Sequence, residues 1–284
     1  MGTQAVGELT TLTGRFAHLQ GRFGGPVVEE ASALLRSVLT DEIWGEDGWG
    51  DVEWEGEMPS FWRTAALIRP LALVAAPGRG LRLDLPADFI EEEFGAEGVV
   101  RLSPGDLPDA LEHEPTRRFL VEVGLPRDGL LFGAEAREDI LNSMTAVCAE
   151  RMENPALRHL GIAGTLPEDS DHLLLIGGLM HDFDTVVDGR TGLVHYTLID
   201  DDTVTPVNAD VSTLAFTVWM HSRQRKLEEE YELTGDMGEF YHQVADTMVA
   251  VLATADPVAC LPATGPDDYR YWPEVFHDEA GGVL

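Results

Sequence analysis

The stretch HEPTRRFLVEVGLP, residues 113–126, contains a whole helix with both of its ends. Pro115 suits a first helical turn, where a missing N–H costs nothing, and Thr116 is placed to cap it. Phe119, Leu120 and Val123 then share one face, the stripe by which a short helix docks on a core. Gly124 can take the left-handed conformation beyond the last turn and Pro126 cannot continue the helix, so the stop is specified twice. Arg117 and Arg118 are left to face outward or to pair with nearby acids.

On either side the chain alternates short helices and short strands. Before the 113–126 helix, the pattern predicts a helix over 28–40, a buried strand within 60–76, and a turn at Pro77-Gly78-Arg79-Gly80. Leu81, Leu83 and Leu85 then alternate with Arg82 and Asp84 as in a half-buried strand. Pro86 opens a helix with Phe89, Ile90 and Phe94 inward and Glu91, Glu92 and Glu93 mostly outward, and 99–102 is a short strand. After it come a strand at 129–132 and a helix over 140–152 with Ile140, Met144, Val147 and Cys148 inward. Residues 173–176, 182–187 and 193–199 form a three-stranded meander, turning at Asp188-Gly189. Asn208 or Asp210 caps a helix whose Val211, Leu214, Ala215, Val218 and Trp219 make one stripe, and Phe240, Val244, Met248 and Val251 mark another. The tail, with Tyr269, Tyr271, Trp272 and Phe276, packs back as irregular structure plus a short helix.

The quoted helix, PTRRFLVEVGLP, resembles the corresponding segment of the fourth subgroup of SUKH-superfamily immunity proteins. The likeness continues, in order, through FGAEGVVRLSPGDLP (94–108), HLLLIGG (172–178), VVDGRTGLV (186–194) and VNADVSTLAF (207–216). The resemblance implies an α+β fold with a central, mostly antiparallel sheet flanked by helices, over residues 59–284. Residues 1–58 then form an N-terminal helical extension with an acidic, tryptophan-rich loop. It further implies a protein without catalysis of its own that binds and neutralises a cognate toxin, often an enzyme that attacks nucleic acids. Scaffold or regulatory members of the superfamily supply the alternative.

Composition narrows the partner. The chain has 284 residues and a formal net charge of −32, so a partner selected by charge is basic, while direct binding to nucleic acid or an anionic membrane is disfavoured. Cys148 and Cys260 lie far apart, with no metal-ligand pair and no disulfide framework, which suits a reducing cytoplasm. The opening MGTQAVGELTTLTGRF has no cationic start before a long apolar run, so no signal peptide is expected, and the apolar stretches 65–76 and 173–180 are shorter than the ~20 residues of a membrane span. A monomer or weak homodimer is expected.

Motifs for chemistry are absent: no His-Glu-x-x-His, no Gly-x-Ser-x-Gly, and no Walker spacing after Gly78-Arg79-Gly80. His181-Asp182-Phe183-Asp184 could offer ligands to a divalent ion, in a metal-assisted hydrolase. On a strand, however, only Asp182 and Asp184 share a face, and an exposed acidic strand before a turn is the simpler reading. The other histidines, among them His113, His195, His221 and His242, read as surface or edge residues. No catalytic residue, metal or cofactor is therefore assigned. The expected contact surface consists of acids at turns, Asp182 with Asp184 and Asp200, Asp201 and Asp202, together with Trp44, Asp47, Trp49 and Asp51 of the segment DEIWGEDGWGDVEWEGE (41–57). Tryptophans ringed by acids are either interface anchors or lids folded onto the core.

Overall fold

The computed structural model describes residues 79–127, 140–153, 166–179, 183–198, 204–231, 238–261 and 271–278. The expected helix over 28–40 and the strands within 60–76 and at 129–132 lie outside them. The elements in chain order are α1 (Phe89–Phe94), β1 (Val99–Val100), α2 (Glu114–Glu122), β2 (Leu125–Pro126), α3 (Met144–Glu153), β3 (Leu173–Leu179), β4 (Phe183–Asp188), β5 (Val194–Leu198), β6 (Thr205–Asn208), α4 (Val211–Tyr231), α5 (Gly238–Ala255) and α6 (Tyr271–His277).

Strands β3 to β6 form an antiparallel sheet in sequential order, so the expected meander has a fourth strand. β6 carries Pro206, which cannot donate to a ladder and is tolerated on a strand with one open side; β6 is an outer strand of the described sheet. Side chains alternate between the two faces. Leu174, Ile176, Val187, Val194, Tyr196 and Val207 enter the main core beneath α4, α5 and α6, whereas Leu173, Leu175 and Val186 meet Met144 and Val147 of α3 on the other face. A bulge at Ile176, between the pairs Leu175–Val186 and Gly177–Thr185, puts Leu179 back on the main-core face despite its odd number.

Helix α2 forms as its sequence directs, with Pro115 in the first turn, Phe119, Leu120 and Val123 buried, and Gly124 at φ 85°. Thr116 is not the cap. The cap position falls on His113, and Thr116 is fully buried with Oγ1 2.8 Å from His113 Nδ1. Beyond Gly124 the chain continues as β2, antiparallel to β1. Arg117 donates to the carbonyls of Pro108 and Leu111, and Arg118 to that of Arg79.

Leu81, Leu83 and Leu85 are buried alternately as expected, but residues 82–85 form no strand. The N–H groups of Arg82 and Leu83 donate to the Asp210 carboxylate (2.7 Å) and to Ser212 Oγ (3.1 Å), which lays this segment over the start of α4. That covering explains why α4 exceeds its predicted stripe. Besides Val211, Leu214, Ala215, Val218 and Trp219, the side chains of Ser212, Thr213, Phe216, Thr217, Met220 and His221 are buried, so this half of the helix faces protein all round. On α1, Phe89 packs against Trp219 with ring centroids 5.0 Å apart, and Ile90 is fully buried. Glu93 departs from the outward face expected of it. Its side chain is 6% exposed and binds Ser222, Arg223 and the lone lysine, Lys226, three partners from α4 that offset the burial of its charge.

Candidate partner-binding surface

Of the residues expected to contact a partner, Trp44, Asp47, Trp49, Asp51, Asp182, Asp200, Asp201 and Asp202 lie outside the described residues. Asp184 lies within them, and its expected exposure is corrected: it is 5% exposed. It projects from β4 toward α3, where the Arg151 guanidinium meets its two carboxylate oxygens at 2.7 and 3.1 Å. Taking a carboxylate out of water is tolerated when a fork of donors replaces the lost hydration, and Arg151 provides it. The Asp184 carboxylate is thereby committed to Arg151. Among the described residues, no group of three or more His, Cys, Asp or Glu side chains is placed to hold a metal ion.

Cys148, one turn before Arg151, is buried as its position in the helical stripe requires. Burial pushes its thiol up in pKa, with the Arg151 guanidinium pulling the other way, so the reactive thiolate is disfavoured. Two histidines read as surface or edge residues are core residues instead. His195 lies in the interior strand β5, where burial lowers its pKa against the influence of Asp188. Burial pulls His221, on the enclosed half of α4, down to about 4, helped by Arg225 and opposed by Asp278.

The segment VNADVSTLAF is a buried clamp. Asp210 accepts hydrogen bonds from the backbone N–H groups of Ser212 (2.9 Å), Thr213 (3.2 Å) and Arg82 (2.7 Å), so it caps α4 and tethers the chain entering the core. Asn208 takes the other position considered for the cap and serves a different end. Its Nδ2 donates to Asp256 at 3.0 Å and its Oδ1 accepts from Trp272 Nε1 at 2.9 Å, joining β6 to the chain after α5 and to α6. Asp256, fully buried, also accepts from the N–H groups of Ala209 and Val258. These donors solvate the carboxylate in place of water.

The segment VVDGRTGLV forms the β4–β5 turn, which docks against the chain leading into α2. Burial disfavours the charged Asp188 carboxylate, but the N–H groups of Arg190 and Thr191 that it accepts outweigh burial and hold its pKa below the ordinary range. The Gly189 carbonyl accepts from His113 N–H at 2.7 Å. A Cβ on Gly189 would strike the Ala110 carbonyl, and one on Gly192, at φ 79°, would strike the His113 ring.

This junction gathers acids from three separate segments, the exposed Glu112 and Asp169 and the half-buried Asp188. Arg190 donates to Asp169 at 2.6 Å, and its guanidinium is held protonated by that bond first, with Asp188 and Glu112 adding through space. Glu168 and Asp171 are exposed beside Asp169 in sequence. One guanidinium among Glu112, Asp169 and Asp188 leaves the rim negative. Sequence reading missed this rim, because Glu112 lies more than fifty residues before Asp169 and Asp188 and only the glycine-mediated docking brings it to them.

A family model described as SUKH-4 immunity protein matches residues 85–278. The chain belongs to the SUKH-4 immunity protein family. No curated protein and no solved structure matches it. The α+β architecture of helices on an antiparallel sheet accords with SUKH-4 membership. The SUKH-4 match contains the buried clamp, the β4–β5 turn and the acidic rim, as well as positions 182, 184 and 200–202. Trp44, Asp47, Trp49 and Asp51 precede it.

Proposed function

We propose that this SUKH-4 protein neutralises a cognate toxin, a nuclease or nucleobase deaminase of a bacterial polymorphic toxin system, by direct stoichiometric contact and without chemistry of its own. The observation that carries the reading is the SUKH-4 match over residues 85–278, which supports the immunity role. The toxin class draws its support from the charge of −32. An enzyme that grips phosphates has a basic cleft, and an acidic protein is steered to such a cleft and competes with its substrate. In this reading the protein acts as a monomer or weak homodimer in the cytoplasm, needs no metal or cofactor, and binds neither nucleic acid nor membrane. The contact surface combines Trp44, Asp47, Trp49 and Asp51 with Asp182 and Asp200–Asp202, and the rim of Glu112, Asp169 and Asp188 extends it. Asp184 is left out because Arg151 occupies it.

The deciding experiment is a binding titration against the toxin encoded beside the gene, repeated across salt concentrations and paired with a protection assay in cells. Saturation at one immunity protein per toxin, with association slowing as salt rises, is expected. Absence of both binding and protection would refute the immunity reading for that toxin. Tight binding indifferent to salt would keep immunity and discard the electrostatic mechanism.

A further inference from the structure

We draw no further inference here: the strongest candidate, the open groove between residues 79–87 and helix α2, floored by Leu83, Phe119 and Val123 and walled by Arg79, Arg118 and Glu122, carries nothing because nothing in the structure shows what covers it.

Discussion

Arg151 and Asp184 form the sharpest residue-level test of the fold. Both side chains are 7% exposed, so removing one partner takes the ion pair from a charge that stays in the interior. R151M is expected to cost about 3–5 kcal/mol in urea unfolding, whereas pairing it with D184L should recover most of the loss, because an apolar pair of similar volume no longer bears the desolvation penalty. A double variant no more stable than R151M would show that the pair does something packing cannot replace. His221 gives a second test, in pH. The unfolded chain takes up a proton near pH 6.5 and the folded chain only near 4, so the stabilisation from a neutral His221 is complete above pH 6.5 and is lost as the pH falls toward 4. The loss is on the order of 3 kcal/mol, and H221L should flatten that part of the stability–pH curve. His195 and His113, whose pKa values are also lowered by burial, keep a smaller slope of the same sign. An unchanged slope in H221L would place the proton uptake elsewhere. Neither residue's burial was legible in the sequence. A strand's alternation does not say which face is covered, and α4 reads as one stripe until residues 81–83 are seen lying over it.

At the scale of elements, the β4–β5 turn and α2 are separate units joined by close backbone contact. G189A and G192A force side-chain atoms into the Ala110 carbonyl and the His113 ring, and Gly192 also has positive φ. Each should lower stability by about 1–3 kcal/mol in a thermal or denaturant melt. G105A is the control: a Cβ there meets nothing within 4 Å, and it should stay within about 0.5 kcal/mol of the parent. Equal effects in all three would mean that the docking contact is not what the glycines serve. The elements themselves were largely readable in advance. α2, the first three strands of the meander and the α4 stripe announce themselves by local period and punctuation, and the buried Trp272 and Phe276 of α6 match the expected return of the tail. β6 was not readable, since Pro206 and Thr205 look like loop and its pairing depends on β5. Glu93 was misread for the same reason, its three partners lying about 130 residues away.

At the scale of the whole molecule, charge governs encounter more than stability. Glu112 and Asp169 are exposed, so E112K and D169N, the latter keeping a residue that tolerates the φ of 64° at this position, should leave the melting temperature nearly unchanged. If the rim faces the toxin, they should slow association several-fold at low salt and have little effect at high salt, measured by stopped-flow mixing. Association rates equal to the parent's at low salt would remove the rim from the contact surface and leave the positions outside the described residues to carry it. No sequence pattern announces this rim, because carboxylates are common throughout the chain and only folding decides which converge.

The bulge at Ile176 sets what kinds of change this sheet can absorb as its lineage drifts. The bulge absorbs one extra residue between Leu175 and Gly177 on β3, so that Leu179 still faces the main core opposite Phe183. Exchanging Leu174 or Ile176 for another apolar side chain leaves every neighbour on its own side. Deleting the extra residue leaves a regular ladder in which Leu179 keeps its face and its pairing with Phe183, whereas a residue gained or lost elsewhere in β3, with no second bulge to absorb it, turns part of the strand over. Descendants of this chain can therefore exchange apolar residues along β3 and can lose the residue at the bulge, while a change of length elsewhere in the strand is resisted.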